Sequence, residues 1–288
     1  MPELPEVETI KEGLKDKIVG RTIKNVEVRV AKIFQGDTKL VSGAKIKSVE
    51  RRAKMLIVGL SNGYSLLIHL KMTGQLVFDS KKGDKSKRIA GGHPSDDWVK
   101  DLPGKFTHVI FNFTDGRVLY FNDLRKFGYI KVYKTDELKK LKVLGDLGPE
   151  PFTTDLTADY LLRAMARRPR LKIKQLLMDQ TIISGVGNIY ADEALFCAGI
   201  SPLRACREVS RSELSKIIEC IKKVLTLALK YRGSSENAYV DVEGRKGEMQ
   251  KHFQVYQQTG KKCPRCNGVV KRTVVGGRGT HYCPNCQK

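Results

Sequence analysis

The sequence predicts an α+β chain in three parts: a β-sandwich led by one helix, a helical middle, and a hairpin closed by cysteines. Three observations carry that prediction. In the first half, apolar runs flank Asn62-Gly63 and Asp115-Gly116, each a strong two-residue hairpin signal. Beyond Leu147-Gly148-Pro149-Glu150-Pro151 the apolar pattern turns helical. The segment 261–288 carries two Cys-x-x-Cys pairs on a glycine-rich hairpin.

Residues 5–18 space Val7, Ile10, Leu14 and Ile18 by three and four, as an amphipathic helix does. Strand signals follow at 23–30, 44–49, 55–60, 64–70, 106–113, 118–121 and 129–133, enough for a two-layered sandwich. Between the hairpins, 79–105 is polar and rich in Gly, Lys and Asp, and reads as a long surface loop or partly disordered insertion. Helices are expected at 156–168, 173–178 and 189–198, the last two around a glycine-rich connection. The clearest helix, 210–231, opens with a Ser210-x-x-Glu213 capping box and stops before Gly233. From 233 to 250 Gly and Ser punctuate a polar stretch, the signature of a mobile loop.

Hydrophobic residues at 41% suffice for real cores. Lys and Arg number 53 against 31 Asp and Glu, for a net charge of +22. That excess points to a polyanionic partner, nucleic acid before an anionic membrane surface. No apolar run approaches the ~20 residues of a membrane span, and the acidic start is unlike a signal peptide. A soluble, cytoplasmic monomer without a membrane partner is expected. Three of the seven cysteines, Cys197, Cys206 and Cys220, lie in helical sequence and read as ordinary buried thiols of a reducing compartment.

Cys263-Pro-Arg-Cys266, sixteen residues, then Cys283-Pro-Asn-Cys286 is a spacing that offers four thiolates to one tetrahedral Zn²⁺. Protein fills all four positions, so the zinc is structural; disulfides are the competing reading, and the compartment opposes them. No acidic residue occurs in 261–288, so the hairpin suits a DNA backbone. Arg278, in Gly276-Gly277-Arg278-Gly279, falls at its turn. A second candidate is Ser184-Gly185-Val186-Gly187-Asn188-Ile189-Tyr190, where glycines let a backbone approach a phosphate and helix amides point at it. Alone it is as well read as a helix–helix turn; nearby Arg163, Arg167, Arg168, Arg170, Lys172 and Lys174 add weight to the phosphate reading.

The N-terminus is Met1-Pro2-Glu3-Leu4-Pro5-Glu6-Val7-Glu8. With Met1 removed, Pro2 presents a secondary amine able to attack a sugar C1′ and form an iminium. Glu3 and Glu6 lie close enough to serve as acid and base. By itself the stretch reads equally as a helix start, with Pro early and acids facing the positive dipole end. Lys54 falls just before a hairpin, Met72 closes a strand, and Arg125 and Phe127 sit in a turn. Surface charge and core packing are their plain readings, but an enzyme that extrudes a base needs apolar and planar side chains to fill the gap.

On these motifs the chain resembles the formamidopyrimidine-DNA glycosylases. The resemblance runs from Pro2 to Cys286 through Met1-Pro-Glu-Leu-Pro-Glu-Val-Glu-Thr9, Arg51-Arg-Ala-Lys54, His69-Leu-Lys-Met72, Asn122-Asp-Leu-Arg-Lys-Phe-Gly128, Gly185-Val-Gly-Asn-Ile-Tyr190 and the paired cysteines. It implies a catalytic β-sandwich over 1–146, a helix–two-turn–helix domain with a lesion-capping loop over 147–250, and a zinc finger over 251–288, with duplex DNA bound in the cleft between the first two. It implies that Pro2 attacks C1′ of a flipped oxidised purine nucleotide or abasic sugar, with Glu3 as acid. Lys54 and Arg278 match proton-donating or phosphate-holding positions. Met72, Arg125 and Phe127 match the void-filling side chains, with Arg125 facing the orphaned cytosine. Asn188, Arg170 and Lys174 match backbone contacts, and Glu6 a residue that positions the flipped nucleotide.

Two further readings stay open: an endonuclease VIII-type enzyme for oxidised pyrimidines, and a non-catalytic damage-binding protein. Leu4, the separated fillers and the long 233–250 loop favour the purine-directed group. Phe106 departs from the pattern, since many family members carry a DNA-contacting His there.

Overall fold

The computed structural model describes residues 1–80, 88–92, 102–235 and 246–288, with backbone alone for 88–92. Helix α1, Leu4–Ile18, begins at Glu3, whose backbone is extended, and admits Pro5 in its first turn, where a missing N–H costs nothing. Val7, Ile10, Leu14 and Ile18 form its buried stripe, each at most 1% exposed. Burying one such side chain contributes roughly 1.5–3 kcal/mol, and this stripe joins the main core between two sheets.

The strands are β1 (Ile23–Val28), β2 (Phe34–Gln35), β3 (Ile46–Arg52), β4 (Met55–Leu60), β5 (Tyr64–His69), β6 (Gly74–Asp79), β7 (Arg88–Gly92), β8 (Thr107–Phe113), β9 (Val118–Asp123) and β10 (Tyr129–Lys134). One sheet has the order β1-β8-β9-β6-β7 and the other β2-β10-β5-β4-β3. All pairs are antiparallel except β10 with β2. The sandwich is as expected, but β2, β6 and β7 were not. Strand β6 is buried along its whole length, so it shows no alternation of apolar and polar residues. Strand β7 falls inside the stretch read as a loop and pairs with β6. The rest of that expectation, over 81–87 and 93–101, lies outside the described residues.

Two chain reversals join the sheets at one end of the sandwich. Residues 70–73 carry the chain from β5 to β6, and 124–128 carry it from β9 back to β10. They are neighbours because Gly74 pairs with Asp123 in one sheet and His69 with Tyr129 in the other. The β3–β4 turn, residues 53–54, lies at the same end, where the Tyr129 hydroxyl reaches Met55 Sδ at 3.8 Å.

The second half is helical as expected: α2 (Ala158–Ala166), α3 (Ile173–Met178), α4 (Asn188–Ala198) and α5 (Arg211–Lys230). The Ser210–Glu213 box forms reciprocally, the Ser210 N–H donating to Glu213 Oε2 at 2.8 Å and the Glu213 N–H to Ser210 Oγ at 3.3 Å. Hairpin β11 (Lys271–Val275) and β12 (Arg278–Tyr282) ends the chain. Cys197 on α4 and Cys220 on α5 form a disulfide, their Cα atoms 5.7 Å apart. This corrects the expectation of separate thiols: facing positions on two packed helices bring the sulfurs together. Cys206 is the buried free thiol that was expected.

By chain contacts the protein divides into two units, Met1–Gly145 with Tyr231–Gln250, and Asp146–Lys230 with Lys251–Lys288. The segment 231–250 thus groups with the sandwich rather than with the helices before it. One bond ties its first leg to α1, and a bridge holds the second leg to the first. The Ser234 N–H donates to Glu6 Oε1 at 2.8 Å, and Ser234 bridges Glu248. Residues 236–245, the middle of the expected mobile loop, lie outside the described residues.

Candidate active site

In the sandwich unit the first turn of α1 is organised by Glu6. Its Oε2 accepts the Glu3 N–H at 2.8 Å while its Oε1 holds Ser234. Pro2, Glu3 and Glu6 are all buried, the two acids at 3% exposure. Glu6 is therefore engaged inside the protein, as a link between the N-terminus and the leg of the 231–250 segment.

One turn further along α1, Glu8 Oε2 accepts from Arg51 Nε at 2.5 Å, and Arg51 Nη1 donates to the Ala53 carbonyl at 3.0 Å. Arg51 is thus a strut from α1 to the turn that carries Lys54. Burial opposes ionisation of Glu8, yet Lys11 and Arg51 hold its carboxyl below the usual range. Lys54 is 5% exposed, and its charge is felt by His69. Burial first, then Lys71 and Lys54, press the His69 ring down to about 3. Neutral at working pH, its Nδ1 accepts the Lys71 N–H at 3.0 Å and steadies the turn before Met72.

A pH prediction follows. Unfolded His69 takes up a proton near its ordinary pKa of about 6.5, whereas the folded ring stays neutral down to about 3. Its contribution to stability is therefore whole above that upper value and is lost as pH falls through the interval. Calorimetry at pH 8 and pH 5 should show a larger drop in Tm for the parent than for His69→Gln. Equal drops would remove His69 as the cause.

The turns bearing the proposed gap-filling residues share an unusual backbone. Lys71, immediately before Met72, has φ +53°, and Lys126, between Arg125 and Phe127, has φ +56°. Ala53, before Lys54, has φ +53°. Each left-handed non-glycine residue costs about 1 kcal/mol, and such conformations cluster where a side chain must be aimed. Met72 is 37% and Phe127 55% exposed, and the Arg125 guanidinium lies 5.0 Å from the Phe127 ring centroid. The two turns lie side by side, the Arg125 N–H reaching Thr73 Oγ1 at 3.0 Å. Phe106 is half-buried and its carbonyl accepts the Asp123 N–H. His108, two residues on, is buried and bonds the Asp123 carbonyl through Nε2 at 2.7 Å.

In the helical unit, the glycine loop before α4 is shaped by Gln180, which the sequence did not single out. Its Oε1 accepts the Gly185 N–H at 2.9 Å and its Nε2 donates to the Val186 carbonyl at 2.7 Å. Asn188 then opens α4, half-buried, and Arg170 is exposed. Lys174 departs from expectation. It is fully buried, 2.6 Å from Asp192 Oδ1, and Nζ donates to Thr280 Oγ1 at 2.8 Å and the Gly279 carbonyl at 3.1 Å. A buried ammonium needs an opposite charge, and Asp192 supplies it, so Lys174 is held against the finger hairpin. Lys174→Met should cost about 3–5 kcal/mol by stranding Asp192. The salt dependence of duplex binding should be unaltered; a slope shallower by about 1 would return Lys174 to the DNA backbone.

Helix α4 is the anchor for the finger. Asp192 Oδ2 also accepts the His281 N–H at 2.8 Å, and Glu193 gathers the N–H groups of Gln254, Val255 and Tyr256. Arg265 stacks 4.3 Å over Phe196 and donates to its carbonyl at 2.8 Å. At the hairpin tip Gly276 and Gly277 have φ +56° and +73°, the left-handed pair of a tight turn, and exposed Arg278 follows at once.

Cys263, Cys266, Cys283 and Cys286 place their sulfurs within 4.8 Å of one another, with Cys263–Cys286 at 3.5 Å and Cys266–Cys283 at 3.6 Å. Tetrahedral Zn–S bonds of ~2.3 Å imply S···S edges of ~3.8 Å, so the donor set fits one Zn²⁺. Charge agrees. Although burial opposes it, the N–H groups of Cys286 and Asn285 and the nearby thiols hold Cys283 down to about 7, while burial and its neighbours push Cys286 up. A cation resolves that conflict.

Family models match the chain in three consecutive stretches: the formamidopyrimidine-DNA glycosylase N-terminal domain over residues 1–130, its H2TH domain over 147–239, and the zinc finger found in FPG and IleRS over 260–288. The chain belongs to the formamidopyrimidine-DNA glycosylase family. A family member from Pelotomaculum thermopropionicum is 40% identical over 293 aligned positions, covering 100% of this chain and 99% of the relative. Among solved structures, the Lactococcus lactis enzyme with abasic-site DNA is 32% identical over 99% of each chain, with a TM-score of 0.86. MutM in complex with carbocyclic 8-oxo-G containing DNA is 33% identical over 100% of each chain, with a TM-score of 0.85. The zinc finger, the helical domain and the sandwich of this family member are the three parts expected. Among the described residues no helix is long and apolar enough to cross a membrane.

Proposed function

We propose that this protein excises oxidised purines, 8-oxoguanine and formamidopyrimidines, from duplex DNA and then cleaves the strand at the resulting abasic site. The observation that carries the reading is the N-terminus: Pro2 and Glu3 are buried, the Glu3 N–H is held by Glu6, and the helix behind them is strutted through Glu8 and Arg51 to the turn bearing Lys54. A protein that only binds DNA has no use for a secondary amine at its N-terminus next to a buried acid.

In the reaction the Pro2 nitrogen, free once Met1 is removed, attacks C1′ of the extruded nucleotide. The N-glycosidic bond breaks and the base leaves with a proton, while Glu3 protonates the ring oxygen as the sugar opens to an iminium. The iminium makes the C2′ proton acidic; its loss expels the 3′ phosphate, and a second elimination expels the 5′ phosphate. Lys54 and Arg278 hold phosphates or donate protons in these steps. Met72, Arg125 and Phe127 fill the vacated stack, with Arg125 at the orphaned cytosine. Asn188 and Arg170 contact the backbone, and Glu6 acts by orienting the terminus and the leg of the capping segment. Cys263, Cys266, Cys283 and Cys286 hold one Zn²⁺, which supplies folding energy to the finger and takes no part in the chemistry. The site of action is the nucleoid, in the cytoplasm.

Borohydride trapping on a duplex with 8-oxoguanine opposite cytosine tests this reading. A covalent protein–DNA adduct is expected. Tight binding with neither adduct nor cleavage, from protein that begins at Pro2, would leave a damage-binding protein.

A further inference from the structure

Met72 and the pair Arg125–Phe127 come from two different connections, yet one carboxylate touches both. Asp123, the last residue of β9, is fully buried. Its Oδ1 accepts from the Thr73 hydroxyl and from the Arg125 N–H, the latter at 3.1 Å. Its Oδ2 accepts from the Gly128 N–H at 2.7 Å. Thr73 follows Met72, Arg125 is itself a gap-filling residue, and Gly128 follows Phe127. Each of the three fillers is thus within one residue of a hydrogen bond to the same side chain.

The main chain of Asp123 is equally committed. Its N–H donates to the Phe106 carbonyl at 3.0 Å and its carbonyl takes His108 Nε2 at 2.7 Å. The Arg125 N–H is shared with Thr73 Oγ1 at 3.0 Å, so the two turns also bond directly. Gly128 can bring its N–H so close only because it has no side chain: a Cβ there would stand 2.8 Å from the Phe121 ring and 3.1 Å from Asp123 Oδ2.

We propose that Asp123 is the positioning residue that makes the two turns one rigid tip, so that Met72, Arg125 and Phe127 enter the DNA stack together. This rests on the reading of those three as gap-filling residues. A carboxylate has two acceptor oxygens and can serve three donors at once. Asparagine keeps one acceptor oxygen and turns an NH₂ toward a donor. Fillers on independent turns have to be ordered at the moment the base leaves, and binding weakens by the cost of that ordering. Preset fillers avoid it.

The test compares parent, Asp123→Asn, Thr73→Val and Arg125→Ala in the full-length protein starting at Pro2. Two single-turnover rates are measured on otherwise identical duplexes: excision of 8-oxoguanine opposite cytosine, and incision at a preformed abasic site opposite cytosine. An abasic site has no base to evict, so the ratio of the two rates reports the extrusion step, which mere loss of folded protein does not move. Asp123→Asn should lower the ratio about tenfold or more, Thr73→Val in the same direction by less, and Arg125→Ala as well. If Arg125→Ala lowers the ratio while Asp123→Asn and Thr73→Val stay within about twofold of the parent, the clamp is overturned and the gap-filling reading survives. If Arg125→Ala leaves the ratio unmoved, the gap-filling reading fails and takes the clamp with it. Melting temperatures accompany each variant. Should Asp123→Asn fail to fold, Thr73→Val decides alone, since it removes a single hydroxyl from a half-buried position.

Discussion

Protein that retains Met1 should release no measurable 8-oxoguanine and form no borohydride adduct, whereas the same chain beginning at Pro2 should do both. In the Met1 form the Pro2 nitrogen is a tertiary amide, without a lone pair to donate to C1′. Loss of a catalytic nucleophile costs on the order of 10⁴–10⁶ in rate, far beyond any effect of one added residue on binding. Duplex affinity should change little, because the positive charge that grips phosphate is spread over the whole chain, at +22 overall. Pro2→Gly, which keeps an amine but loses the ring, and Glu3→Gln, which keeps the shape but loses the acid, should each sharply reduce the adduct. Intact-mass analysis fixes the N-terminus of each sample, and single-turnover excision and trapping are then run side by side. Excision by a sample verified to carry Met1 would end the assignment to Pro2.

Removing the metal should have the second largest effect. Zinc bound by four thiolates contributes about 10–16 kcal/mol of apparent binding free energy, and in small domains that energy is folding energy. Here the finger is tied to α3 through Lys174–Thr280 and to α4 through Asp192–His281 and Arg265–Phe196, so its collapse also removes partners from the helical unit. Purified protein should hold one zinc per chain. A strong chelator should lower the Tm of the helical unit and weaken duplex binding by about tenfold or more, through loss of Arg278 and its basic hairpin. Cys266→Ser should reproduce both effects. Chelated, zinc-free protein with full duplex affinity would show that the finger does not grip DNA.

The sequence by itself determined the local features. Spacing in α1, the Asn62-Gly63 and Asp115-Gly116 turns, the Ser210–Glu213 box and the two Cys-x-x-Cys knuckles each depend on residues a few positions apart, where propensity and hydrogen-bond geometry act directly. The N-terminal Pro2-Glu3 stretch alone reads equally as a reactive terminus and as a helix start, and only the company of the other motifs tips it toward chemistry.

The tertiary structure decided the rest, for one physical reason: burial and pairing are properties of residues distant in sequence. Lys174 sits among arginines and reads as a surface cation, until Asp192 and the finger hairpin close over it. Glu6 reads as a helix-start acid, until Ser234 arrives from the far end of the chain. Cys197 and Cys220 look like separate thiols until two helices pack. Strand β6 shows no alternation because both of its faces are covered. The turn of Met72 lies beside that of Arg125 and Phe127 only because Gly74 pairs with Asp123 in one sheet and His69 with Tyr129 in the other. The carboxylate that bonds those turns together acquires its role from that register, which no local pattern encodes.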